Sequence, residues 1–162
     1  MQTAGMLVWE NKLLHSPNWE NIWKLAHKVT NENRLRVFHW KFLHRSCINN
    51  VKLYQWNKRR DALCEYCNVN DTVKHRYFEC IIARKIWRVV ENIVQNLYEQ
   101  SIFVTWNIIV EGIETNVKVN NAINLIGLVA KWSIHKCRCL CIQDYNTEIL
   151  FKIEPKTRNV PH

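Results

Sequence analysis

The sequence predicts a mainly α-helical domain organised around one small cysteine–histidine knuckle. Three observations predict it. Only three Gly and three Pro occur in 162 residues, too few for the many tight turns of a sandwich or barrel. Apolar residues recur at three- and four-residue spacing along most of the chain, the period of a helix with one buried face. Finally, Cys64, Cys67, His75 and Cys80 read C-x2-C-x7-H-x4-C within a single short stretch.

The elements follow in order. Residues 1–18 form an N-terminal segment whose first fifteen residues lack a clear pattern. Ser16-Pro17 signals a helix start, with Ser as the cap and Pro in the first turn. Trp19, Ile22, Trp23 and Ala26 then keep helical spacing. The polar run Thr30 to Asn33 ends that helix and caps the next, which runs from Arg34 to about Arg45 with Leu35, Phe38 and Phe42 on one side. A short helix is expected over Asn50 to Asn57. The knuckle turn follows, with Asp71 or Thr72 as a cap. A long helix begins near Cys80 and carries an apolar stripe of Ile82, Ile86, Val89, Val90, Ile93 and Leu97. Ile102 to Val110 fits strand or helix equally, and Glu111-Gly112 breaks it. Val119, Ala122, Ile123, Ile126 and Ala130 mark a last helix, running toward Cys141. These elements divide the chain into a helical metal-binding domain over 19–100, a helical extension over 101–145 and a loosely ordered tail over 146–162.

The knuckle carries the clearest chemistry. Three thiolates and an imidazole suit a tetrahedral zinc ion, and a Cys-x2-Cys pair brings two sulfurs to one ion from a single turn. The motif therefore predicts one structural Zn²⁺ held by Cys64, Cys67, His75 and Cys80. All four positions are filled by protein, leaving none open for water or substrate. Chance proximity of thiols and a histidine would leave the spacing unexplained. Cys137, Cys139 and Cys141 alternate near the C-terminus and read as buried or half-buried thiols in preference to a second metal site. Cys47 reads as a small packing residue.

Formal net charge is +9, which favours an anionic partner. Residues 33–60 hold Arg34, Arg36, Lys41, Arg45, Lys52, Lys58, Arg59 and Arg60 with no Asp or Glu. On a helix, Arg34, Lys41 and Arg45 fall within about 40° of one another. That strip, with Lys58, Arg59 and Arg60 just before the knuckle, is the candidate phosphate-binding surface. An ordinary solvated face is its plainer reading. Trp56 is the candidate for stacking on an exposed base, although Trp40 and Trp56 both read more readily as core or half-buried. His39 and His44 read as packing or surface residues.

Asp occurs only at Asp61, Asp71 and Asp144, so no paired carboxylates are available for a two-metal centre. The three glycines lie too far apart for a phosphate loop. The chain is therefore expected not to be an enzyme. Seven cysteines and no visible signal peptide point to reduced thiols in the nucleus or cytoplasm. The apolar run Leu125 to Ala130 is closed by Lys131 and is too short to span a bilayer, so no membrane association is expected.

Several stretches occur in the order of a known domain. They are Phe38-His-Trp-Lys-Phe-Leu-His-Arg45, Leu53-Tyr-Gln-Trp56, the Cys64/Cys67 pair, His75-Arg-Tyr-Phe-Glu-Cys80 and Ala83-Arg-Lys-Ile-Trp87. Together they resemble the reverse-transcriptase zinc-binding domain near the C-terminus of LINE-type (non-LTR) retrotransposon polyproteins. Leu125 to Cys137 also resembles the C-terminal end of such polyproteins from vertebrate elements, so the likeness covers roughly residues 19 to 140. It implies a helical domain around one zinc knuckle. It also implies contact with RNA or DNA, and a reverse-transcriptase polymerase domain as a further partner; weak sequence preference is expected because phosphate contacts position without specifying. The family's polymerase and endonuclease motifs are absent here, so the resemblance implies a C-terminal fragment without either activity. The competing expectation is a structural or protein-interaction domain in which zinc only stabilises the fold.

Overall fold

The computed structural model describes residue 9 and residues 17–113 and 118–139. They form six α-helices and one π-helical turn, with no named strand among the described residues. The helices are α1 (Trp19–Val29), α2 (Asn33–Leu43), α3 (Asn50–Gln55), α4 (Ile81–Tyr98), α5 (Trp106–Glu111) and α6 (Lys118–Cys139). The π turn, His75–Glu79, directly precedes α4. No helix among the described residues is long and apolar enough to cross a membrane.

Helix ends follow local chemistry, with one correction. The α1 cap is Asn18, whose side chain accepts from the Asn21 N–H at 3.2 Å, and Pro17 precedes the helix. Ser16, the expected cap, lies outside the described residues, as do Cys141 and the whole tail 146–162. At the other end of α2, Arg45 adopts φ 54° while Ser46 N–H donates to Lys41 O and Arg45 N–H to Phe42 O. This left-handed closure satisfies the last carbonyls. It also places Arg45 beyond the helix, so only Arg34 and Lys41 of the expected strip lie on α2. Asn57 closes α3 in the same way, with φ 55° and the matching pair of bonds from Asn57 and Lys58.

Helix α6 is the centre of the packing and touches α1, α2, α4 and the π turn. One apolar cluster joins Ile22, Phe38, Phe42, Tyr77, Trp87, Val94, Ile109, Leu128 and Ile134. The expected boundary at residue 100 does not interrupt this core, since α5 and α6 supply part of it. Trp9 belongs to it as well, donating its indole N–H to the Leu43 carbonyl at 2.7 Å. The buried face of α4 is Ala83, Trp87, Val90 and Val94, whereas Val89 and Leu97 of the expected stripe are exposed. Two apolar stripes compete on this helix. The winning one carries Trp87, whose bulk fills the core and whose Nε1 donates to Tyr77 O at 2.7 Å.

The ambiguous segment resolves as a stretch without regular structure over 101–105 followed by α5, capped by Thr105. Gly112 then turns the chain with φ 77°, where a Cβ would stand 2.9 Å from both Asn124 Oδ1 and Leu25 Cδ2. The Asn124 amide exchanges two bonds with the Ile113 backbone, each 2.7 Å, fixing this turn against α6.

Lys131, which closes the apolar run Leu125 to Ala130, is buried. Its Nζ donates to Ile109 O at 2.9 Å and lies 4.9 Å over the Phe42 ring. Burial lowers its pKa from the ordinary lysine value to about 7. The unfolded chain thus binds more protons than the folded one between pH 7 and the normal lysine pKa, so stability rises with pH across that window. We expect a gain of about 2 kcal/mol between pH 7 and 9. Lys131→Met should remove that gain in denaturant melts, and an unchanged pH slope would refute the assignment.

Candidate metal centre and basic surface

The knuckle is a tight loop closed by a single antiparallel bridge between Leu63 and Asn70. Within it, Cys64 N–H donates to Val69 O at 2.7 Å and Asn68 N–H to Cys64 O at 2.9 Å. Asn68 holds φ 54°, a left-handed position that Asn tolerates better than most residues. This closure turns Cys64 and Cys67 toward the same side. Thr72 caps the next segment, its hydroxyl accepting from His75 N–H at 3.1 Å.

The remaining two ligands depend on the π turn. Wound as an α-helix, His75 and Cys80 would stand about 140° apart. The wider turn, in which Cys80 N–H donates to His75 O at 2.7 Å, instead brings positions five apart toward one side. The ligand atoms of Cys64, Cys67, His75 and Cys80 all lie within 4.8 Å of one another. Cys80 Sγ is 3.8 Å from both Cys64 Sγ and Cys67 Sγ, far beyond disulfide bonding distance. The group could hold a metal ion, and the donor chemistry fits one. His75 Nε2 is buried with no hydrogen-bond partner among the described residues, which leaves a ring nitrogen available as a ligand.

Electrostatics favour a cation here. Burial and the charges of Cys64 and Cys67 push the Cys80 thiol up to about 12, against the pull of the Ile82 and Ala83 N–H groups at the start of α4. Burial also raises Cys64, but the Tyr66 N–H, the Arg138 charge, the Cys67 N–H and the hydrogen bond with Cys80 outweigh it and hold that thiol below its ordinary value. Burial lowers His75, keeping its imidazole in the neutral, ligating form. A bound cation would relieve the mutual repulsion of the sulfurs and deprotonate them together.

A polar network beneath the cluster was not legible in the sequence. Asp71, expected as a cap, is fully buried and accepts from Asn50 N–H at 3.0 Å and Arg76 Nε at 3.0 Å. It also pairs with Arg76 Nη2, and with Arg138 Nη2 at 3.3 Å. Arg138, from the end of α6, donates to Cys64 Sγ at 3.5 Å and lies 5.0 Å over the Tyr66 ring. The last helix is thereby tied to the first ligand. The only sequence signal was the run of charges among the alternating C-terminal cysteines.

The basic residues separate into two groups. Arg36 donates to Thr30 O and Asn31 Oδ1, and Lys52 donates to Arg45 O. Arg45 stacks near Trp9, and Arg59 pairs with Glu65 at 2.8 Å and Asp61 at 3.5 Å. Arg34, Lys41, Lys58 and Arg60 are exposed, and no carboxylate among the described residues pairs with them. Trp40 and Trp56, read as core or half-buried, are 53% and 54% exposed. His39 is buried and bonds Ile22 O at 3.0 Å through Nε2, as a packing residue would. Cys47 is buried, Cys137 half-buried and Cys139 exposed.

Comparison with known proteins adds no relative to these observations: no family model matches the chain, and neither a curated protein nor a solved structure does so.

Proposed function

We propose that this chain is a non-catalytic, zinc-dependent nucleic-acid-binding module of the reverse-transcriptase zinc-binding type. The observation that carries the reading is the shape of the ligand cluster. Two sulfurs on one tetrahedral zinc, each at about 2.3 Å, stand about 3.8 Å apart. Cys80 lies 3.8 Å from both other sulfurs. A Cys₃His set fills the tetrahedron with protein, which suits a structural ion and leaves no position for a reacting water. Zinc then fixes the turn between the basic segment and α4, in a reducing compartment such as the nucleus or cytoplasm.

Net charge of +9 and the unpaired cations support an RNA or DNA partner. Binding should be tested by salt titration of the zinc-loaded chain against labelled RNA, single-stranded DNA and duplex DNA. Lys58→Ala with Arg60→Ala is expected to weaken binding to all of them and to reduce the salt slope by about 1.5 to 2. Both side chains are exposed, so the fold should remain intact. No binding by a folded, zinc-loaded chain would reject the proposal.

A second reading rests on exposed apolar residues. Phe103 is 81% exposed and Leu97 stands nearby in sequence, also exposed. Such residues suit docking on a protein, including a polymerase domain. Self-association relieved by Phe103→Ser, without nucleic-acid binding, would favour that role.

A further inference from the structure

A groove of about 360 Å³ runs between α2 and α6 and carries two of the unpaired cations, Arg34 and Lys41. Its walls are Arg34, Val37, Phe38, Lys41, Trp132 and His135. The volume is at the lower end of the range for small-molecule sites. Arg34 and Lys41 stand on α2 either side of the buried Phe38, and the half-buried Trp132 and His135 line the groove from α6. Phe38 meets Trp132 edge-on at 5.3 Å and His135 at 5.2 Å, while Trp132 and His135 lie 5.8 Å apart. Lys136 adds a further cation 5.7 Å over the Trp132 ring. No carboxylate among the described residues lines the groove.

We infer that this groove holds one unstacked base of a single-stranded nucleic acid, with the adjoining phosphates on Arg34 and Lys41. The inference deepens the nucleic-acid reading and rests on it. Cations alone would serve any polyanion. The aromatic wall beside them selects an anion joined to a flat, apolar-faced ring, which is the chemistry of a nucleotide. A duplex keeps both faces of each base covered by its neighbours, so a single strand is the form that can offer one. His135 suits the role because burial, first, and the nearby Arg76, Lys41 and Lys136 charges bring its pKa down to about 4. It stays a neutral ring at pH 7, fixed by a 3.0 Å contact from Nδ1 to the Tyr77 hydroxyl. Lys41 and Arg34 are the charges lining the groove from α2, and Lys136 lies over the Trp132 ring on α6.

The test compares two probes on the full zinc-loaded chain: oligo(dT) and an abasic strand of equal length with the same phosphates. The base-bearing strand is expected to bind about tenfold more tightly. Val37 is 52% exposed, so Val37→Arg should fold normally while filling the groove and adding positive charge. That variant should lose the preference for oligo(dT) while binding the abasic strand as well as before or better. Trp132→Leu, verified as folded by its thermal melt, should lose the preference in the same direction. Equal binding of both probes by the parent chain, or a preference surviving in both variants, would overturn the groove but leave phosphate binding standing. Failure of both strands to bind would overturn the groove and the nucleic-acid reading together.

Discussion

Chelating the metal is expected to unfold this chain, not merely to loosen one loop. Structural zinc in small modules contributes on the order of 10–16 kcal/mol at neutral pH, whereas a whole domain is stable by about 5–15 kcal/mol. The ligands are distributed so that the loss would spread. Cys80 caps α4, and α4 packs on α6 through Trp87, Val90 and Val94. Cys64 is tied by Arg138 to the end of α6. With the sulfurs unligated, burial and the neighbouring Cys64 and Cys67 charges, which push the Cys80 thiol up to about 12, would leave it protonated inside the cluster. A chelator, or Cys80→Ala, should therefore abolish the cooperative thermal transition and the near-ultraviolet dichroism of the buried aromatics. Elemental analysis of the untreated protein should give one zinc per chain, and cobalt in its place should give the spectrum of a tetrahedral sulfur-rich site. A chelated chain with an unchanged melting temperature would remove zinc from the folding argument.

How far the sequence was legible depended on how local each cause was. The clustering of Cys64, Cys67, His75 and Cys80 could be read because their spacing is a property of one short stretch. The existence of α1, α2, α4 and α6 could be read because a periodic apolar face is repeated over several turns. Which face of α4 wins could not, because Ile82-Ile86-Val89-Ile93 and Ala83-Trp87-Val90-Val94 are both helical stripes. Only the tertiary contacts of Trp87 choose between them. Lys131 broke the usual rule by occupying a core position and satisfying its ammonium on the Ile109 carbonyl, across 22 residues. The pairing of basic residues was equally nonlocal. Arg59 looked like its neighbours Lys58 and Arg60 until Glu65 folded back onto it. Arg138 reaches Cys64 across 74 residues, a relation no periodicity records.

That long-range link yields the second large expected effect. Asp71→Asn should cost about 3–5 kcal/mol at pH 7, because it removes the one carboxylate between two buried guanidiniums. The side chains of Arg76 and Arg138 are only 4% and 3% exposed, so water cannot take over. The substitution keeps the volume and can still accept from Asn50 N–H, which isolates charge from shape. Burial raises the Asp71 pKa, but the Arg76 hydrogen bond and charge, the Asn50 N–H and the Arg138 charge outweigh it and leave it below the ordinary value. Its stabilising contribution is thus complete above about pH 4 and is lost only as pH falls through the depressed folded-state value. Metal-bound thiolates and imidazole take up protons before that point as the solution is acidified. An acid titration would therefore report metal release first, and the variant at neutral pH is the cleaner measurement. Arg138 would also turn from a partner of Asp71 into an uncompensated charge beside Cys64, and zinc affinity should fall about 10- to 100-fold. Combining Asp71→Asn with Arg138→Met should recover part of the lost stability, since the second change removes the stranded charge. A single-variant loss below about 1 kcal/mol, typical of an exposed pair, would show that the network is solvated and that α6 is held to the knuckle by packing alone.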